Sequence, residues 1–134
     1  MEEKVVQIGR ATIPVETQEI ADHNILGVIA GTTGWQKDKW DCHTYFAISD
    51  NACTNMNAVI LKDNNDDEDK MVALYLNGES ELVTFMCALK FALDTLTAKA
   101  RQTIPDFNLE AAYAERTKDY SNEEPIELIT DDNI

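Results

Sequence analysis

The apolar residues of this chain change their spacing once, at Asn77-Gly78, and that change sets its fold class. Before it, short apolar and β-branched runs alternate with turn residues, the pattern of strands. After it, Leu82, Phe85, Met86, Leu89, Ala92, Leu93 and Leu96 recur at steps of three and four, the pattern of one helix face. Strands gathered first and helices last argue for an α+β fold. The expected architecture is an antiparallel sheet of about five strands on one long helix, with a second, short C-terminal helix.

The strands follow from the punctuation. Residues 5–8 and 11–15 read as one or two short strands around a Gly9-Arg10 break. Pro14 places its strand at an edge or a bend, because proline donates nothing to a ladder. Residues 25–30 (ILGVIA) are apolar at nearly every position, so both faces of that strand should be covered. Residues 44–49 (TYFAIS) form a further strand, and residues 56–62 and 70–76 a hairpin with the acidic run between them at its tip.

The long helix should run over about 79–102, with Glu79 and Glu81 in its first turn, and Lys99 and Arg101 in its last. Asn77 or Ser80 would cap its start, and Pro105 stops it. A weaker helix is expected near 109–118. Residues 1–118 then make a single domain, and 119–134 an acidic tail too poor in apolar residues to offset its ordering entropy.

The charge belongs to particular segments. The chain has 25 acids and 11 bases, a net charge of −14. Residues 63–70 carry −4 and residues 119–134 carry −6, leaving the rest nearly balanced. Such blocks are solvated loops or tails, because like charges resist packing together. No apolar run of about 18 residues offers a membrane span, and the acidic N-terminus lacks the signature of a signal peptide. The expected location is the cytoplasm.

Few residues point to chemistry. His23 reads as a surface residue, and Cys42-His43 as strand neighbours whose side chains diverge. Three cysteines without a C-x-x-C pair suit reduced thiols better than a disulfide framework or a zinc site. The acidic run lacks the glycine and final glutamate of an EF-hand, and neither standard phosphate loop occurs. The expectation is no enzyme, no metal and no cofactor.

Residues 31–44 (GTTGWQKDKWDCHT) are the most unusual stretch. Turn amides and threonine hydroxyls hold anions, lysines add charge, and tryptophan faces stack on bases. Alternatively, both tryptophans fold back into the core. Candidate ligand-binding residues are Gly31, Thr32, Thr33, Gly34, Trp35, Lys37, Trp40, His43 and Thr44 in this stretch, with Arg10, Arg101 and Arg116 elsewhere.

The series NILGVIAGTTG, CHTYFAISDNACTNM and LNGESELVTFMCALKFALDTL resembles a family of small phage and prophage proteins with a Gly-Thr-Thr-Gly turn and a Glu-Leu-x-x-Phe helix. The resemblance spans roughly residues 24–98. This chain departs from the pattern at Lys37-Asp38, near the family's Gly-Gly-Asp, and at His43, in place of an arginine. As a class, such proteins are similar to the anti-defence sponges that sequester nucleotide immune signals, including the Thoeris anti-defence family. The resemblance implies a protein that binds a small anionic, nucleotide-like ligand and blunts host immunity, with direct nucleic-acid binding not expected. The thin catalytic inventory, the lack of an apolar span and the sheet face left uncovered at residues 25–30 lead to the expectation of a non-catalytic homo-oligomer with no membrane partner. The rival reading is an acidic inhibitor that mimics nucleic acid to bind a host defence protein. It requires carboxylates on a rigid surface near phosphate intervals, whereas these acids cluster in a loop and a tail.

Overall fold

The structure is a computed structural model that describes residues 4–34, 41–62 and 69–118. The centre of the acidic run and the tail lie outside the described residues, as do Trp35, Lys37 and Trp40.

The fold is α+β, as expected. Strands β1 (Val5–Ile8), β2 (Ala11–Ala21), β3 (Ile25–Thr32) and β4 (Thr44–Ala52) form an antiparallel sheet in chain order. Strands β5 (Met56–Lys62) and β6 (Asp69–Leu76) pair only with each other. The six strands therefore divide into a four-stranded sheet and a separate hairpin. Helix α1 (Glu79–Thr103) follows, then α2 (Leu109–Thr117).

Pro14 sits where β2 changes partners. Ala11 to Pro14 pair with β1, whereas Val15 to Ala21 pair with β3. The missing N–H of proline thus falls at a junction between two ladders. Gly31 lies opposite Val15 there, and a Cβ on it would collide with the Pro14 carbonyl and the Val15 side chain.

Strand β3 is the centre of the core. Leu26, Val28 and Ala30 are fully or almost fully buried, and Ala88 of α1 packs on this cluster. Burying a Leu or Val side chain contributes about 1.5–3 kcal/mol. On the other face of β3, the Ser49 and Asn51 side chains lean over Gly27, leaving no room for a Cβ. Helix α1 covers one face of β3, whereas on the other face Ile25 and Ile29 are only half-buried, so the described residues do not supply the second cover that the strand's composition implies.

Helix α1 presents a different side to the sheet from the one its apolar spacing suggests. Its buried residues are Glu81, Thr84, Ala88, Ala92, Thr95, Lys99 and Ala100. Leu82, Met86, Leu89 and Leu93, expected to form the core face, are exposed, Leu96 is half-buried, and Phe85 and Ala92 turn inward. Small side chains let the helix lie close to β3, and a polar cluster anchors its first turn.

That cluster centres on Asn24, in the β2–β3 turn and 2% exposed. Its Nδ2 donates to Thr54 Oγ1 at 2.9 Å and Thr84 Oγ1 at 3.0 Å, and its Oδ1 accepts from Ser80 Oγ. Thr54 Oγ1 donates to the Ile25 carbonyl at 3.0 Å, and the Glu81 carboxylate accepts from the Asn55 amide at 3.1 Å. Ser80 is therefore a tether to Asn24 and makes no N-cap. The N-cap position falls to Gly78, at φ 127°, with no side-chain cap bond. Helix α2 is capped by Asn108, which accepts from the Ala111 amide at 2.9 Å.

Asn24→Ala should cost roughly 2–4 kcal/mol, since it removes three side-chain hydrogen bonds, each contributing about 0.5–1.5 kcal/mol net. Urea denaturation followed by circular dichroism measures this. A loss below about 1 kcal/mol would mean that the network does not anchor the helix.

Candidate functional site

A half-open hollow of about 700 Å3 lies between the β1–β2 turn and the start of β4. Ile8, Arg10 and Ile13 line one side, and Asp41, His43 and Tyr45 the other, with Ala11, Cys42 and Thr44 between them.

Arg10 is held there by local geometry. Ile8 pairs with Ala11, so Gly9-Arg10 is a two-residue hairpin loop. Gly9 has φ 57°, the positive φ that favours glycine in such loops. Gln7 braces the turn: its Nε2 donates to the Gly9 carbonyl at 3.1 Å, and its Oε1 accepts from Thr12 Oγ1 at 2.5 Å. The exposed guanidinium therefore stands on a stiff base, which lowers the entropy lost when it engages a ligand.

The opposite wall is held by the two threonines of the Gly-Thr-Thr-Gly turn. Thr33 Oγ1 donates to the Asp41 carbonyl and accepts from the His43 amide, both at 2.9 Å. The Thr33 amide donates to the His43 carbonyl at 2.9 Å. Thr32 Oγ1 accepts from the Gly34 amide and from Thr44 Oγ1, both at 3.1 Å. These bonds close both ends of the loop from residue 34 to residue 41.

The structure thus brings Arg10, His43 and Thr44 together and gives the other candidates different places. Gly31 is a packing position, and Thr32 and Thr33 use their hydroxyls to hold the loop. Gly34 has φ 92°, and a Cβ on it would lie 3.0 Å from the Thr103 side chain at the end of α1. Arg101 is outside the hollow, with its Nε donating to the Phe107 carbonyl at 3.0 Å, and Arg116 is exposed on α2. Trp35, Lys37 and Trp40 lie outside the described residues.

The sequence reading missed Ile8, Asp41 and Tyr45. The alternation of β4 places Tyr45 two residues from His43 on the same side, a signal that would have found it. Asp41 adds a carboxylate to a lining that also holds Arg10 and His43, so the hollow is mixed in charge. Cys42, Cys53 and Cys87 are free, exposed thiols. Among the described residues, no three His, Cys, Asp or Glu side chains come together as metal ligands.

No protein-family model, curated protein or solved structure matches the chain. No helix among the described residues is long and apolar enough to cross a membrane.

Gly34→Ala should destabilise the fold by about 1–3 kcal/mol, combining an unfavourable positive φ with crowding against Thr103. Thermal melts of both proteins test this. An unchanged midpoint would show that the loop base can shift at no cost.

Proposed function

We propose that the protein is a non-catalytic, phage-type anti-defence protein that sequesters a small anionic, nucleotide-like immune signal in the cytoplasm, and that it works as a homo-oligomer. The observation that carries the binding reading is the convergence of Arg10, His43 and Thr44 with the Tyr45 ring around one hollow of about 700 Å3. A guanidinium holds phosphate oxygens in a bidentate grip, a hydroxyl and an imidazole add directional bonds, and an aromatic ring stacks on a base. The volume falls within the range of small-ligand sites. With Asp41 alongside the bases, a ligand bearing both a phosphate and a hydrogen-bonding base fits better than inorganic phosphate.

The test incubates the purified protein with a panel of cyclic and linear nucleotides and identifies by mass spectrometry what remains after gel filtration. Arg10→Ala should weaken the retained ligand about 10- to 100-fold, the loss of a charge-assisted bond worth roughly 1.5–3 kcal/mol. Its melting temperature should not change, because Arg10 is exposed at a turn. Failure to retain any nucleotide, or equal affinity in the variant, would sink the binding reading.

A further inference from the structure

Helix α1 carries a second stripe that its own sheet does not use. Leu82, Met86, Leu89, Leu93 and Leu96 are spaced four, three, four and three residues apart, the 3.5-residue period of a helix-packing seam. At 100° per residue, the seam lies roughly 120° around the helix from the side facing β3. Its first four residues are 46–60% exposed. No charged residue interrupts the stripe, and the nearest ion pair, Lys90–Asp94 at 2.8 Å, flanks it.

The β5–β6 hairpin has the matching deficiency. Pairing puts Ile60 and Val72 on one face, and Val59 and Tyr75 on the other, where Met71 also lies. All five are 47–72% exposed. A solvated two-stranded ribbon alternates apolar and polar faces, whereas this one is apolar on both. Such a ribbon standing alone is marginal in water. Among the described residues the arm meets the body at its base, where Met56 packs on the core and the Asn55 amide donates to the Glu81 carboxylate of α1 at 3.1 Å.

The two surfaces agree in length and area. The seven residues of β5 extend about 23 Å, and Leu82 to Leu96 span about 21 Å along the helix. With Val83 beside the seam, ten large apolar side chains are 46–72% exposed on the arm and the helix together. The helix stripe and whichever face of the arm meets it together offer apolar area on the order of the ~800 Å2 per partner that a stable pair buries.

We infer that the occupant is a second copy of this chain: the β5–β6 arm of each copy packs along the outer α1 seam of the other, in a reciprocal exchange about a two-fold axis. This rests on the homo-oligomer part of the proposed function and is independent of the ligand. One chain supplies both the arm and the seam, and the described residues cover neither. A two-fold exchange covers both at once and closes the assembly.

Sedimentation velocity at micromolar concentration tests this on the full chain. The wild type should sediment at twice 15.0 kDa or an even multiple. Leu89→Glu and Val72→Glu, made separately, should each shift the mass to the next smaller species while circular dichroism stays unchanged. Arg10→Ala should leave the mass unchanged, so loss of ligand and loss of assembly are read separately. If either glutamate variant fails to fold, a photo-crosslinker at Leu89 in mixed 14N and 15N protein decides. Adducts joining light and heavy chains at peptide 56–76 support the exchange. A monomeric wild type, which would leave the surface to another protein, overturns it. So do folded glutamate variants that keep the wild-type mass, or adducts confined to single chains.

Discussion

Asn24 is the point at which the described chain is tied together. Its carboxamide bridges the β2–β3 turn, the β4–β5 connection through Thr54, and the first turns of α1 through Ser80 and Thr84. A buried amide that joins three separate segments admits few alternative arrangements, because every displaced register leaves a polar atom without a partner. The network sets where α1 begins relative to β3. Ala88, Ala92 and Thr95 then follow along the same side of the helix, buried against the sheet. Near the other end, Lys99 is buried with its ammonium 3.7 Å from the Glu16 carboxylate of β2.

Anchoring by hydrogen bonds explains why the long helix does not use its best apolar stripe on its own sheet. A helix held by Thr84 and Ser80 must direct those residues inward, and the leucine seam, roughly 120° away, is then carried outward. The small residues on the inner side allow close approach, so van der Waals contact with Leu26 and Val28 replaces the large side chains of an ordinary amphipathic helix. The cost is an apolar surface that the described chain leaves uncovered.

The period change at Asn77-Gly78, the Gly9-Arg10 turn, the buried β3 and both helices were legible in the sequence because each depends on local spacing or turn chemistry. The helix orientation was not. Hydrophobic periodicity says which side of a helix avoids water and cannot say whether that side meets its own sheet or another surface. Nor does periodicity show that Asn24 reaches Thr84, because a buried polar contact 60 residues apart leaves no local trace. The candidate site was legible in part for the same reason. Arg10 was legible as a base at the Gly9-Arg10 break and His43 as a residue beside a strand, but their convergence depends on pairing across β2, β3 and β4. The two threonines were recognisable as unusual, yet their hydroxyls turned out to hold the loop, because backbone groups at its two ends needed partners.

The fold separates its two unsatisfied features along one axis. Strand β3 starts beside Asn24, where α1 starts and the arm emerges, and it ends at the Gly-Thr-Thr-Gly turn, where Gly34 meets Thr103 at the end of α1. The hollow with Arg10 and His43 therefore lies at the end of the sheet opposite the base of the β5–β6 arm. Between them stands the most densely packed part of the molecule, Leu26, Val28 and Ala88, all at most 1% exposed. A core packed so closely resists deformation, so a change at one end reaches the other only by moving β3 and α1 as a rigid pair. Assembly through the arm and occupancy of the hollow should then be separable events. That separation gives each reading its own residues to stand or fall by.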